Sequence, residues 1–370
     1  MTKKAQPLLP FEGSVERLHR SSRSLGSSGS KIAPNLGKLG ELFHPALPTE
    51  VFPTYWAFAE KRQQIFFDRL NRLQPPWTED PILATHRFTN AYRSVDRVSQ
   101  YLIRQVQYDR EWSLEDLFFR TILFKVFNRI GTWKTIVADS GEPQWSDFSA
   151  ERVGKALDAA LADGTRIYSA AYIMPSGGPK SKFRRKHRMH LNLIEQMMKD
   201  GLPAKLAMAK SMESAFQLLR DYPTIGDFLA YQYVIDLNYS PLINFDENDF
   251  VVAGPGAREG IEKCFRDLGG KTFDWIIRRV RTVQEQAFKA LGLSFRNLWG
   301  RPLHLIDCQN LFCEVAKYSR IYHPEFNSPS GRTRIKQKFI PNSEPIEYFF
   351  PPKWGIIVPE LTRLRNVAPI

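Results

Sequence analysis

Cysteine is scarce in this sequence: Cys264, Cys308 and Cys313 are the only three in 370 residues. Their odd number and irregular spacing exclude a disulfide framework and a cysteine-based zinc site, so they read as buried, reduced thiols. His187 and His190 stand three apart with no acidic or cysteine partner at a zinc-binding interval, and read as surface or phosphate-contacting residues. No metal or other cofactor is implied. Long apolar runs are missing too. No stretch approaches the roughly 20 residues a membrane span needs, and the N-terminus lacks the apolar core of a secretory signal. The expectation is an intracellular protein without a membrane partner. A phosphate-cradling G-x-x-x-x-G-K-[ST] loop is also absent, since "GSSGSK" at Gly26–Lys31 has the wrong spacing. Nucleotide-driven phosphorylation on a P-loop is therefore not expected of this chain. Neither a fixed-period repeat nor strand–helix alternation occurs.

Acidic residues are outnumbered, 39 against 52 Lys and Arg, for a net charge of +13 and an isoelectric point near 9.6. Such a balance favours a polyanionic partner, and DNA is the one expected. The excess has one sharp focus. "KSKFRRKHR" at 180–188 supplies Lys180, Lys182, Arg184 and Arg185 as phosphate contacts; a solvated basic helix start would look the same.

Residues 1–48, rich in Ser, Gly, Lys and Arg, read as a disordered basic arm. Residues 49–322 carry helical periodicity and 323–370 form a Pro-rich C-terminal extension that could wrap the core or contact DNA. Helices are predicted over 55–73, 87–106, 114–128, 148–163, 186–200, 211–221, 224–237 and 273–291. "RIYSAAYIM" at 166–174 is the one plausible strand, so the fold class is all-α with at most one short strand pair.

Two helices carry long polar stripes. "LHLIDCQNLFCEVAKYSR" puts Asp307, Asn310, Glu314 and Lys317 at helical spacing, opposite an apolar face of Leu305, Cys308, Leu311, Phe312 and Val315. Asn90, Arg93, Arg97, Gln100 and Arg104 repeat the pattern, with Asp96 beside them. A solvated face with i, i+4 charge pairing is one reading and a ligand-binding face is the other. In "FVVAGPGAREGIEKCF", Gly254 and Gly256 flank Pro255 at the start of a helical run. That spacing resembles a helix-hairpin-helix element near 246–266, whose backbone N–H groups at Gly254, Gly256 and Ala257 would meet a DNA phosphate. An ordinary helix-to-helix turn carries the same signature.

The blocks "PWTEDPILATHRFTNAYRSVDRVSQYLI", "GDFLAYQYVIDLNYS", "FVVAGPGAREGIEKCF" and "IDCQNLFCEVAKYSR", in that order over residues 55–322, resemble the α-glutamyl/putrescinyl thymine pyrophosphorylases. These amino acid:DNA transferases are helical relatives of the helix-hairpin-helix DNA glycosylases. The resemblance implies a glycosylase-like helical bundle acting on 5-hydroxymethyluracil that a separate kinase has already activated in DNA as a pyrophosphate ester. An amine or amino acid would displace pyrophosphate from the flipped-out base.

That chemistry asks for cations at the leaving group, a base for the incoming ammonium or the uracil N3, and amides for the pyrimidine edge. Arg93, Arg97, Lys180 and Lys317 suit the first role, Asp307 and Glu314 the second, and Asn90, Gln232 and Asn310 the third. Asp307, Glu314 and Lys317 are thus the catalytic candidates. Asn90, Arg93, Arg97, Gln232, Asp236 and Asn310 are the substrate-binding ones. Asp307 could equally be a helix cap, Glu314 and Lys317 a surface pair, and Asp236 a structural partner of a neighbouring arginine. Tyr172 and Tyr231 are offered for stacking on the base, although core packing gives the same pattern. A glycosylase that cleaves the modified base and a non-catalytic DNA-binding module are the alternatives.

Overall fold

A computed structural model describes residues 36–171, 174–176, 183–326, 331–342 and 346–359. Among them the chain is mainly helical, with one two-stranded sheet. Helix α1 (Leu36–Phe43) and strand β1 (Leu47–Pro48) lead into α2 (Val51–Leu70). Part of the predicted basic arm is therefore ordered. Leu39 and Phe43 are buried, because α1 is amphipathic even though the surrounding composition is polar. Residues 1–35 lie outside the described residues. The inward positions of α2 include Tyr55, Trp56, Phe66 and the polar exception Gln63, all buried. It stops at Asn71, short of Pro75 and Pro76, which cannot continue a helix.

α3 (Pro81–Thr85) begins with a proline and is capped by Asp80, whose carboxylate accepts the N–H groups of Ile82 and Leu83. The continuous helix expected over 87–106 does not form. Residues 87–92 are non-helical, Arg93–Val95 make a 3-10 turn, and only then come α4 (Arg97–Tyr101) and a π-helical turn at Leu102–Gln107. Periodicity alone could not show the cause. The N–H groups of Thr89, Asn90 and Arg93 are taken by the carboxylates of Glu314, Asp96 and Asp307, so side-chain acceptors replace the i−4 carbonyls of a helix.

The middle of the chain builds α5 (Leu114–Phe127), α6 (Ile130–Ser140), α7 (Ala150–Ala162), α8 (Lys186–Lys199), α9 (Leu202–Ala207), α10 (Met212–Arg220) and α11 (Asp227–Tyr239). From Leu117 to Phe127 in α5 and from Leu229 to Tyr239 in α11, every residue is buried. Helices enclosed on all sides belong at the centre, and these two pack on each other. No strand forms among residues 166–171 and 174; Ile167 and Met174 are buried instead, and the Ile167 carbonyl accepts Thr132 Oγ1.

The last third supplies α12 (Pro255–Cys264), β2 (Phe265–Asp267, antiparallel to β1), α13 (Phe273–Ala290) and α14 (Leu305–Tyr322). α12 and α14 make the most extensive helix–helix contact in the fold. Glycine makes it possible. A Cβ on Gly256 would lie 2.4 Å from Cys313 Sγ, and one on Gly260 would lie 2.0 Å from the Phe312 carbonyl oxygen. The glycines at 256 and 260 thus sit one turn apart against α14. The expected helix-hairpin-helix is incomplete, because residues 240–254 ahead of α12 are not helical and the Gly-Pro-Gly turn follows a loop. The C-terminal extension lies on the body: Phe350 is buried, and Lys353 donates to the carbonyls of Ser240 and Ile243.

Replacing Gly260 by Ala should cost about 3 kcal/mol of unfolding free energy, since two backbones must separate. Gly40→Ala in α1, where a Cβ meets nothing within 4 Å, should stabilise by about 0.5–1 kcal/mol. Urea unfolding of the two variants checks the contrast, and a neutral Gly260→Ala would remove the close-packing account.

Candidate functional site

The polar stripe of α14 faces protein. Lys317 Nζ donates to the Arg87 carbonyl at 2.8 Å, and Glu314 accepts the Thr89 N–H at 3.1 Å while pairing with Lys317 at 2.7 Å. Asp307 accepts the Arg93 N–H at 2.9 Å with one oxygen and the His304 N–H at 3.1 Å with the other. Contacts 317 to 87, 314 to 89 and 307 to 93 run in order, so the stripe clips the main chain of an antiparallel neighbour. Burial pushes the Asp307 carboxyl up to about 7, against the pull of the Arg93 N–H and the Arg301 charge. Both of its oxygens are engaged with backbone, and it does not line the cavity that Asn90 and Arg97 share. Asn310, on the same face, is half-buried.

Arg93 points the other way, into the core. Its guanidinium is 1% exposed and grips Asp236 at 2.8 Å, Gln232 Oε1 at 3.1 Å and the Tyr239 hydroxyl at 3.1 Å. Lys125, its ammonium lowered to about 8 by burial, stands 3.2 Å from the same Asp236 carboxylate. Three of the expected substrate contacts, Arg93, Gln232 and Asp236, therefore form an internal network. Paired in the core, they fix α11 to the 3-10 turn. Tyr231 is likewise buried at 1% exposure, and Tyr172 lies outside the described residues.

The clipped segment forms one wall of a cavity of about 520 Å³. Asn90, Asp96 and Arg97 line it, with Arg62, Ile65 and Arg69 from one face of α2, Trp77 from the following loop, His86 to Phe88, and Lys338 to Asn342 from the C-terminal extension. Arg62 Nη2 donates to Asn90 Oδ1 at 2.9 Å, and Asp96 Oδ1 accepts from the Asn90 main chain at 2.9 Å and its amide at 3.0 Å. Arg69 lies 5.0 Å from the Trp77 ring. Burial pushes the Asp96 carboxyl up to about 6, opposed by the Asn90 N–H and the Arg62 charge. Among the described residues, one titratable carboxylate thus faces a pocket lined by five cationic side chains, Arg62, Arg69, Arg87, Arg97 and Lys338.

Of the expected site residues that are described, only Asn90 and Arg97 reach this cavity. Arg62, Arg69, Asp96 and Lys338 escaped sequence reasoning as ligands. The seven-residue interval of Arg62 and Arg69 is a visible same-face signal; nothing local ties Lys338 to residues 250 positions earlier. The expected phosphate contacts divide as well. Lys180 and Lys182 lie outside the described residues, and Arg184 is exposed. Arg185 and Arg188 are paired with Asp158, and Arg188 also with Glu151. His187 and His190 are buried, contrary to their reading as surface residues, and His190 sits 2.7 Å from the Tyr168 hydroxyl and 3.0 Å from the Pro175 carbonyl. Gly254 and Ala257 are buried and Gly256 is half-buried; the need for glycine at 256 is met by α14 without a DNA phosphate. Among the described residues no cluster of His, Cys, Asp or Glu could hold a metal ion, and no helix is long and apolar enough to cross a membrane.

Residues 49–328 match the family model described as 5-hmdU DNA kinase, helical domain. The chain is also similar to the 5-hmdU DNA kinase of Bacillus phage SP10, at 26% identity over 330 residues, covering 83% of this chain and 51% of that protein. It thus spans about half the length of the curated relative it matches. No solved structure matches it.

Asp307→Asn should leave one of the two N–H donors without an acceptor and destabilise the fold by about 1–3 kcal/mol. The sign of its pH dependence is set by a folded pKa of about 7, above the ordinary 3.8. The folded carboxyl holds its proton more tightly, so its stabilising share is full below the unfolded value and lost as pH rises through the folded one. The stability gap between wild type and Asp307→Asn should therefore narrow from about pH 4 to 7, as thermal melts at several pH values would show; a gap that widens over that range would contradict the assignment.

Proposed function

The chain belongs to the family of the 5-hmdU DNA kinase helical domain, and from that membership we propose that it acts on 5-hydroxymethyluracil in DNA, at the cavity beside the clipped segment. The finer part of the proposal is transfer chemistry. An amine or amino acid attacks the C5 methylene of a base that a separate kinase has converted to its pyrophosphate ester. The C–N bond forms, the C–O bond breaks, and pyrophosphate leaves with the electron pair into the field of Arg62, Arg69, Arg87, Arg97 and Lys338. Asp96, ionised near neutral pH, takes the proton that the nitrogen must lose. Asn90, whose Oδ1 keeps a second lone pair beside its bond from Arg62, accepts the pyrimidine N3–H, and Trp77 offers an aromatic face.

The observation that carries this reading is the coexistence in one cavity of several cations and a carboxylate, Asp96, with a raised pKa. A leaving polyanion requires the first, and a proton-accepting step near neutral pH requires the second. The matched relative is named a kinase, while this chain has no P-loop motif and spans about half of that protein. These facts favour a second reading, in which the helical domain presents the hydroxymethyl base to a kinase centre elsewhere.

The test is nucleoside mass spectrometry of 5-hydroxymethyluracil DNA incubated with this protein, a kinase for that base, ATP and a pool of amines and amino acids. A heavier thymidine derivative with pyrophosphate release is expected. Enhanced phosphorylation without amine incorporation would favour the second reading, and abasic sites would mean a glycosylase. Asp96→Asn should lower turnover by about 10²–10⁴-fold. The wild-type rate should fall as pH drops through about 6, where Asp96 takes up its proton, and a profile flat from pH 5 to 8 would remove Asp96 as the base.

A further inference from the structure

The extension contributes more than a wall to the cavity. Residues 337–339 pair with 85–87: the Arg87 N–H donates to the Gln337 carbonyl and the Phe339 N–H to the Thr85 carbonyl, each at 3.0 Å, with His86 opposite Lys338. This pairing holds the strap at the cavity's edge. Upstream of it, cations recur at every second position as Arg332, Arg334, Lys336 and Lys338, all exposed, while Ile335 is buried and Phe339 half-buried. Period two in a non-helical chain sends alternate side chains to opposite sides, with neighbours on one side about 6–7 Å apart. The cations thus stand exposed at every second position, with Thr333 and Gln337 between them exposed too and Ile335 turned inward, and the row ends, at Lys338, on the cavity wall.

The row differs from the denser basic segment at 180–188. There Arg188 is held by Glu151 at 2.6 Å and Asp158 at 2.7 Å, and Arg185 shares Asp158. Among the described residues no carboxylate forms an ion pair with Arg332, Arg334 or Lys336. Their charge is available to a mobile polyanion. A duplex phosphate array would be met by a broad patch, whereas a row of cations matches the backbone of one strand.

We propose that Arg332, Arg334 and Lys336 form a phosphate-tracking row that grips the DNA strand whose base enters the cavity. The proposal rests on reading that cavity as the base site. The row runs beside the strand and delivers the nucleotide to Lys338 and Arg87 at the mouth.

The experiment is fluorescence anisotropy of a labelled single-stranded thymidine oligonucleotide across a salt series, with wild type, Arg332→Gln/Arg334→Gln/Lys336→Gln and Asp96→Asn. Each lost phosphate contact on a single strand removes about 0.7 from the slope of log affinity against log salt. The triple variant should therefore lower the slope by about 2 and bind more weakly at low salt, with unchanged circular dichroism. An unchanged slope in the folded triple variant overturns the row. Lys336→Gln alone, expected to lower the slope by about 0.7, provides the same decision should the triple variant unfold. Asp96→Asn should keep the wild-type slope, which separates the two claims. Loss of turnover there with an intact row effect supports both, whereas full turnover in Asp96→Asn with a lowered slope in the triple variant would leave the row standing and reject the cavity chemistry.

Discussion

Hydrogen bonds from one face of α14 to the main chain of residues 87–93 hold the wall of the cavity in place. A segment with helical periodicity is kept non-helical because Glu314 and Asp307 supply acceptors, and Lys317 a donor, that a helix would have supplied internally. These groups are largely buried, where unmet polar groups are costly, so the register between the segment and α14 is strongly specified. α14 is itself located by α12, whose glycines at 256 and 260 let the two backbones approach. A small-residue helix contact thus fixes a polar clip, and the clip sets where Asn90, Asp96 and Arg97 stand.

The positive charge of the chain is divided among unlike tasks. Arg93 and Lys125 are core residues that share Asp236, and Arg120 lies 3.8 Å from the Trp112 ring while bonded to Glu142. The basic segment before α8 is partly balanced by acids on α7. Among the described residues, five cations line the cavity and three more stand exposed along the strap beside it. Density of Lys and Arg along the chain was a poor guide to this division, because the number of nearby carboxylates decides whether a cation is available.

The cavity also draws its parts from distant stretches of chain: α2, the loop with Trp77, the clipped segment and the strap. Cations from three of these, with Arg97 from the start of α4, converge on one carboxylate among the described residues. Such convergence suits a reaction that moves a proton and a highly charged leaving group within one site. It also makes the C-terminal extension part of the cavity wall, tied down by Lys353 and by the bond from the Phe349 N–H to Gln100.

The all-helical class, most helix positions and the burial of Cys264 and Cys308, though not of half-buried Cys313, were legible in the sequence, because apolar spacing, caps and prolines act over a few residues. The polar stripe at Asp307, Glu314 and Lys317 was legible as a stripe, and so was the demand for glycine in "AGPGAREG". What each one faces was not. Whether Asp307 meets a substrate or a backbone N–H, whether Gly256 meets a phosphate or Cys313, and whether Arg93 points to solvent or to Asp236 are set by packing between residues 140 or more positions apart in two cases and 57 in the other. Local sequence specifies which groups need partners; tertiary structure alone decides who the partners are, since a hydrogen bond or a close contact depends on distance in space and not on separation along the chain.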